Sequence, residues 1–247
     1  MKTSRSASVG AAAGAATMAA DRLRCDLAML QFAPEVAWVY NPIEYAWDAH
    51  RQYIERFARD SCEVIFLGMN PGPWGMAQTG VPFGQVAAVR DWLKIDGRID
   101  RPQREHPKRP VQGLACQRSE VSGQRLWGLF ADRFGTPDHF FRKHYVANYC
   151  PLVFMEESAK NLTPDKLPAK LRGPLEALCD QHLSQLISAL SPKWVIGVGA
   201  WAEGCASRVV GERARVGKIL HPSPASPAAN RDWAGTATRQ LQALGVW

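Results

Sequence analysis

The fold is decided by the stretch EVIFLGMNPGPWG, which occupies residues 63–75. Residues 63–67 form a short apolar run of the kind that becomes a buried strand. The glycines and prolines that follow fix a sharp, rigid turn directly after that strand. This turn carries Asn70. It is not a nucleotide P-loop, because no lysine follows, and it is not a G-x-G-x-x-G dinucleotide fingerprint. The stretch therefore predicts a buried strand whose carboxyl end presents an amide side chain.

Three further segments have the composition of buried strands, and they alternate with helical segments along the chain. The predicted strands are residues 144–148, 193–199 and 216–220, and the predicted helices are residues 44–59, 175–190 and 233–244. Strands that alternate with helices favour a parallel sheet that is covered on both faces. We therefore expect an α/β fold with three layers, α/β/α, around a central, mainly parallel four-stranded sheet.

Polar side chains follow three of the four predicted strands, namely Asn70, Asn148 and His221. Ligands of open parallel sheets bind in the crevice beyond the carboxyl ends of the strands. If the strands are parallel neighbours, these three side chains converge on one crevice. Each also has a simpler interpretation. The loop of Asn70 can be only a strand-ending turn, Asn148 can cap a turn before Pro151, and a lone histidine at a strand end is often structural.

The side chains near these strand ends suit a planar, polar ring as ligand. Asn148 offers both a donor and an acceptor, as the edge of a pyrimidine requires. Phe83 lies in the Gly-rich piece after the first loop and can stack on such a ring, although a lone Phe is more often a core residue. Two prolines make the loop after His221 rigid and extended, and its Ser223 can donate to a phosphate oxygen without a charge.

The charge of the chain is compatible with a polyanionic partner. The net charge is +7 and the pI is near 9.3. Residues 94–118 carry seven lysines and arginines against three acidic residues, and three prolines make this stretch a basic loop rather than a helix face. Phosphate contact and a merely solvated loop remain open as interpretations.

Cysteine spacing and hydropathy exclude several classes of protein. The six cysteines form no C-x-x-C or comparable cluster, which disfavours a zinc ribbon and a sequence-local iron–sulfur site. Without a disulfide framework, a reducing compartment is the simpler expectation. No apolar run approaches the roughly 20 residues of a membrane helix, so we expect no membrane association.

The amino-terminal segment is rich in Gly and Ala and lacks the Leu, Ile and Phe of a working signal peptide. We therefore expect residues 1–25 to be a disordered, Ala-rich tail and residues 26–247 to form a single domain. Alternatively, this tail is translated from an upstream start codon, and Met18 or Met29 is the functional start.

Several motifs together resemble one known family, the single-strand-selective monofunctional uracil-DNA glycosylases. The matching motifs are GMNPGPWGMAQTGVPFG at residues 68–84, NYCPL at residues 148–152, and HPSP followed by PAAN at residues 221–230. Shorter matches include residues 44–47, 105–111, 119–123, 161–164 and 167–170. The resemblance spans residues 34–247 and implies a uracil-DNA glycosylase-like fold.

The resemblance also implies a role for each residue of the predicted crevice. It places Phe83 on the face of an extruded base and Asn148 on its Watson–Crick edge. It places the backbone of Met69 and Gly72 near the 5-position of the base, where we expect the thymine methyl to be excluded. Asn70 would orient the attacking water. His221 would stabilise the negative charge on the departing uracil and so carry the larger share of catalysis.

DNA contacts are implied for two further regions. One is residues 158–172, and its candidate phosphate partners are Lys160, Lys166, Lys170 and Arg172. The other is the loop after His221, which would probe the duplex with Ser223 and Ala225. The better-known animal members have an arginine where this chain has Ala225, and Trp74 stands where Phe is usual. Because alanine cannot fill the space of a flipped base, we expect a stronger preference for single-stranded or mispaired DNA.

The function implied is hydrolysis of the N-glycosidic bond of uracil, and of some 5-oxidised uracils, in DNA as a step of base-excision repair. No metal or cofactor is expected, and no lysine in these motifs can form a Schiff base for strand cleavage. We expect a monomer that works in the cytoplasm or nucleoid if the source is bacterial, or in the nucleus if it is eukaryotic. Alternatives are a related glycosylase that prefers mismatched thymine or hypoxanthine, and a non-catalytic module that binds damaged DNA.

Overall fold

The structure is a computed structural model that describes residues 10–247. Its strands are β1 (Trp38–Tyr40), β2 (Val64–Gly68), β3 (His144–Asn148), β4 (Val153–Met155), β5 (Asn161–Leu162), β6 (Trp194–Val198) and β7 (Arg215–Ile219). Its α-helices are α1 (Ala11–Ala28), α2 (Pro42–Tyr45), α3 (Trp47–Phe57), α4 (Met76–Thr79), α5 (Val121–Phe134), α6 (Pro137–Phe141), α7 (Ala169–Leu190), α8 (Ala200–Val210) and α9 (Pro227–Ala243).

The central sheet has the strand order β3-β2-β6-β7, and every neighbouring pair is parallel. The predicted four-stranded parallel sheet is confirmed, and each observed strand lies within two residues of its predicted bounds. Each residue of β2 and β3 is buried, because helices cover both faces of these strands. In the register of the sheet Gly68 lies opposite Asn148, so the first loop begins beside the end of β3.

Aromatic contacts show how the two faces of the sheet are covered. Phe66 of β2 packs on Phe130 of α5, with ring centroids 4.9 Å apart. Tyr145 of β3 points to the opposite face and packs on Tyr53 of α3 at 5.4 Å. The sheet therefore has helices on both sides, as the three-layer prediction requires.

A second, small sheet joins β1, β4 and β5 in antiparallel pairs, and the sequence did not predict it. Its strands have three, three and two residues, which is too short for a periodic pattern. β4 follows directly from the segment after Asn148, so this sheet holds the chain that borders the carboxyl end of β3.

The prediction that residues 1–25 are disordered is wrong from Ala11 onward, where helix α1 begins. Alanines of α1 are buried against the rest of the molecule, and the main contacts of the helix are with α7 and α3. Alanine has the highest helix propensity and its small side chain permits close helix packing, while Leu23 and Leu27 supply apolar contact. The remainder of the predicted tail, residues 1–9, lies outside the described residues. None of the helices in residues 10–247 combines the length and apolar character needed to cross a membrane.

Candidate active site

The three polar strand ends meet around one cavity of about 300 Å³ at the carboxyl edge of the sheet. The lining includes the residues predicted for the site, namely Met69, Asn70, Gly72, Phe83, Asn148, His221 and Ser223. The convergence that strand order implied is therefore present in the fold. The chemical role of each residue stays a prediction.

Asn148 and Phe83 form one corner of the cavity around Gly68. A Cβ on Gly68 would lie 2.5 Å from Asn148 Oδ1 and 2.5 Å from Phe83 Cε2, so only glycine permits this approach. Asn148 is buried, and its amide nitrogen donates a weak hydrogen bond to the sulfur of Met76 at 3.3 Å. Phe83 has a left-handed backbone with φ of 53°, a conformation that non-glycine residues adopt at a cost. An amide that offers both a donor and an acceptor thus lies beside an aromatic ring.

Helix α5 packs on Phe83 and stabilises its strained backbone conformation. Gly123 near the start of α5 approaches the carbonyl oxygen of Phe83 so closely that a Cβ at Gly123 would overlap that oxygen. Thr79 adds a hydrogen bond to the carbonyl of Gly84 at 3.0 Å. Strained residues persist where the surroundings over-determine them, and they cluster at binding sites. The backbone that carries the Phe83 ring is therefore held by its neighbours in the protein.

Asn70 is anchored at its amide nitrogen. That nitrogen donates to the carbonyl of Leu152 at 3.2 Å and, more weakly, to that of Pro71 at 3.4 Å. The amide oxygen is then left as the acceptor, since both hydrogens are directed at carbonyls. This arrangement suits a group that holds a water molecule by one of its hydrogens.

His221 follows β7, the edge strand opposite to β3. Its Cβ lies 3.2 Å from the place that a Cβ on Gly199 would take, and Gly199 has a φ of 97° that also favours glycine. Burial lowers the pKa of His221 below its usual value, so the ring is neutral near pH 7. Its centroid lies 6.4 Å from that of Phe83. A neutral ring donates one N–H to a ligand without placing a charge in the cavity.

The loop after His221 is held by Arg125 of α5. Its guanidinium donates to the carbonyls of Pro222 and Ser223, each at 3.3 Å, and to the side chain of Asn230 at 2.9 Å. Asn230 in turn donates to the carbonyl of Pro224 at 2.8 Å. Neither Arg125 nor Asn230 was predicted as a site residue, although Asn230 belongs to the PAAN motif.

Glu120 is another cavity residue that sequence reasoning missed. It directly precedes α5, and its carboxylate accepts the backbone N–H of Trp74 at 3.2 Å. Burial raises the pKa of this carboxyl above its usual value. The only sequence signal was its place in the matching run of residues 119–123. Ser122, Asn161 and Thr163 also line the cavity without having been predicted individually.

The model of the uracil DNA glycosylase superfamily matches residues 55–242 of this chain. The chain belongs to the uracil-DNA glycosylase superfamily. It is 50% identical over 228 residues to the "Single-strand selective monofunctional uracil-DNA glycosylase" of Rattus norvegicus, a match that covers 91% of this chain and 82% of the rat protein. The protein of the same description from Bos taurus is 49% identical over 228 residues, with 91% and 84% covered. Within the superfamily the chain thus belongs with the single-strand-selective monofunctional glycosylases.

Comparison with solved structures assigns the same fold. The crystal structure of wild-type Pedobacter heparinus SMUG2 matches with a TM-score of 0.62 at 17% sequence identity, and the match covers 92% of this chain and 98% of that one. The α/β fold expected for a uracil-DNA glycosylase is therefore confirmed.

Residues 158–172, the segment predicted to contact DNA, border the cavity through Asn161 and Thr163. Of the predicted cations of this segment, the three lysines are exposed and Arg172 is half-buried, and each has a protein partner. Lys160 lies 3.7 Å from Glu156, Lys166 lies 3.5 Å from Asp165, Lys170 pairs with Glu35, and Arg172 donates to the carbonyl of Asp165. Exposed ion pairs contribute little to stability, so the pairing of the three lysines does not argue against the phosphate contacts, which stay a prediction.

Two arginines of the basic stretch of residues 94–118 pack on Trp74 of the first loop. The guanidiniums of Arg109 and Arg118 lie 5.3 and 4.6 Å from the ring centroid of Trp74. The basic stretch of residues 94–118 is thereby attached to the loop that carries Asn70. In the loop after His221, Ala225 is exposed, and its contact with DNA stays a prediction. Among residues 10–247 there is no group of three or more His, Cys, Asp or Glu placed to hold a metal.

Proposed function

We propose that the protein is a monofunctional DNA glycosylase of base-excision repair that hydrolyses the N-glycosidic bond of uracil in DNA. The observation that carries this proposal is the convergence of Asn70, Asn148 and His221 on one cavity beneath the ring of Phe83. These are the groups needed to orient a water, read a pyrimidine edge and stabilise a leaving anion. The relatives at 50% and 49% identity are named for this activity.

Recognition begins once the nucleotide has left the base stack, which costs a few kcal/mol and is cheapest for unpaired bases. The base stacks on Phe83 and presents its N3–H and O4 to the amide of Asn148. Cytosine has a donor at position 4 and an acceptor at N3, so the same amide orientation meets it with the wrong polarity. The weak contact of the Asn148 amide with Met76 is exchanged for the stronger one with the base.

The reaction breaks the bond between C1′ and N1, and uracil leaves as an anion. His221 donates an N–H to the O2 atom, where the negative charge develops, and this is the largest catalytic contribution. Asn70 holds water by its amide oxygen, and the water's hydroxyl adds to C1′ while its proton passes to solvent. An amide takes up no proton, so the rate depends chiefly on leaving-group stabilisation. No protein group in this mechanism forms a covalent bond to the sugar. The product is therefore an abasic site in an intact strand.

The test is base release from labelled single-stranded and duplex oligonucleotides that each contain one uracil, thymine, 5-hydroxymethyluracil or hypoxanthine. Alkali converts abasic sites into breaks, and a monofunctional enzyme gives no breaks without it. Asn70→Ala and His221→Ala should each reduce single-turnover uracil release by about 10²–10³-fold. His139→Ala, a histidine on α6 away from the cavity, is the control and should keep full activity. Intact release by both cavity variants would overturn the assignment.

The substrate range and the partner state are part of the same proposal. The enzyme accepts uracils with polar 5-substituents, works as a monomer, and acts more readily on single strands than on A·U duplex because Ala225 is a poor wedge. Ala225→Arg should raise the duplex rate relative to the single-strand rate. Equal wild-type rates on both substrates would remove the wedge argument. Preferential release of thymine or hypoxanthine would favour the alternative glycosylase.

A further inference from the structure

One carboxylate in the cavity has no part in the proposed reaction. Glu120 lies against the first loop, and its Cγ and one carboxylate oxygen would each come within 3.2 Å of a Cβ on Gly75. At Gly72 the fit is tighter still, because a Cβ there would overlap both carboxylate oxygens. The two glycines of the loop thus leave the space that this carboxyl group fills.

The two oxygens of Glu120 differ in what binds them. Oε2 accepts the backbone N–H of Trp74, which braces the turn between Gly72 and Gly75. No protein donor in residues 10–247 binds Oε1, and Glu120 lines the cavity. A carboxylate in a largely buried place requires donors, and covering its free oxygen with an apolar group is unfavourable.

The position of this oxygen relative to a bound pyrimidine follows from the other contacts. The base has its O2 at His221, its N3 and O4 at Asn148, and its N1 bonded to the sugar at the cavity mouth. In this proposed binding mode the remaining edge, which carries C5 and C6, is directed at the part of the lining that includes Pro71, Gly72, Gly75 and Glu120. A substituent on C5 therefore points toward the wall that Glu120 supports.

We propose that Glu120 is a specificity-determining residue that selects the substituent at the 5-position of the base. Its free oxygen accepts a hydrogen bond from a hydroxyl group and disfavours groups that only accept or that are apolar. A 5-hydroxymethyl group can donate, a 5-formyl group can only accept, and a methyl group can do neither. Uracil has only hydrogen at C5 and leaves the carboxylate hydrated. This inference rests on the proposed glycosylase function and adds to it.

The test exchanges the acceptor for a donor while the volume stays the same. In Glu120→Gln, the amide oxygen must face the Trp74 N–H, so the NH₂ group faces the cavity. We would measure kcat/KM on single-stranded oligonucleotides that contain uracil, 5-hydroxymethyluracil or 5-formyluracil. The ratio of 5-hydroxymethyluracil to 5-formyluracil should fall at least 10-fold relative to wild type. Leaving-group differences between the bases cancel in this comparison.

A matched control is available in the same chain. Glu105 also braces backbone, since its carboxylate accepts the N–H of Val111 at 2.6 Å, but it lies outside the cavity lining. Glu105→Gln should leave the substrate ratios unchanged. Glu120→Ala should raise thymine release relative to uracil release about 10-fold or more, because it removes the carboxylate that opposes a methyl group.

Different outcomes would contradict the role of Glu120 and the proposed glycosylase function. If Glu120→Gln and Glu120→Ala lower release of every base by the same factor, Glu120 only braces the loop and the inference is overturned. If Glu120→Ala does not fold, the isosteric Glu120→Gln still decides through its ratios. If wild-type protein releases no uracil, the proposed function fails instead.

Discussion

Replacing Gly68 by Ala tests whether the close approach of Asn148 and Phe83 sets the reaction rate. Gly68 ends β2 with an ordinary backbone conformation, so alanine is compatible with its φ and ψ angles. The new Cβ would lie 2.5 Å from Asn148 Oδ1 and 2.5 and 2.7 Å from two carbons of the Phe83 ring. Real Cβ contacts essentially never fall below 3.0 Å, so both side chains must retreat by about half an ångström or more.

The size of the effect follows from the cost of misplacing a bound substrate. A displacement of about 1 Å costs on the order of 10²-fold in rate. We therefore expect base release by Gly68→Ala to fall between about 10- and 100-fold, which corresponds to about 1.4–2.7 kcal/mol of transition-state stabilisation. The fold should persist, because the strained contacts face the cavity.

The assay is single-turnover release of uracil, with circular dichroism and thermal unfolding measured in parallel. Gly128→Ala in α5 and Gly204→Ala in α8 are the controls, because a Cβ at either glycine meets no atom within 4 Å. Both should retain activity and gain roughly 0.5–1 kcal/mol of stability. A folded Gly68→Ala variant with a rate within about threefold of wild type would refute the packing argument.

Three further predictions concern stability, loop geometry and DNA affinity. Burial lowers the pKa of His50 to about 4, whereas in the unfolded chain its pKa is near 6.5. Between these two pH values the unfolded chain binds more protons than the folded one. The free energy of unfolding is therefore greatest above this range and declines as the pH falls through it. Urea unfolding should show about 2 kcal/mol less stability at pH 5 than at pH 7.5 from this residue, and an unchanged pH dependence in His50→Gln would contradict it. Arg125→Met should slow base release by roughly 10-fold with little change in DNA affinity, because His221 loses its loop support; loss of affinity alone would instead indicate a phosphate contact. Arg118→Ala should reduce the slope of log affinity against log salt by about 1, whereas Arg118→Lys should retain it, and equal slopes for all three proteins would exclude a phosphate contact.

The sheet and the strand-end residues were predictable because local signals there agree with the global fold. The strand segments β2, β3, β6 and β7 are each followed by polar or turn-forming residues, and topology alone brings their ends together. The predicted start of α7 at residue 175 was too late: the helix begins at Ala169 and continues through Gly173 and Pro174.

Other features depend on contacts that no local pattern reports. Helix α1 is stabilised by burial against α7, and its alanines alone give no apolar periodicity. Glu120 enters the cavity only because two glycines distant in sequence leave room for it. In the sequence, nothing distinguishes Arg125 from other charged residues of a helix. Its role depends on its acceptors, the carbonyls of Pro222 and Ser223, which lie far away along the chain.

The strand order has a consequence for how activity reports on folding. Asn148 ends one edge strand of the central sheet and His221 follows the other, with β2 and β6 between them. Edge strands have hydrogen-bonded neighbours on one side only, so local opening that frays either margin separates the two groups while the middle of the sheet stays protected from hydrogen exchange. Base release should therefore be lost at a lower denaturant concentration than the one at which the slowest amide protons of β2 and β6 lose protection. Activity thus reports whether both edge strands of the sheet are in place.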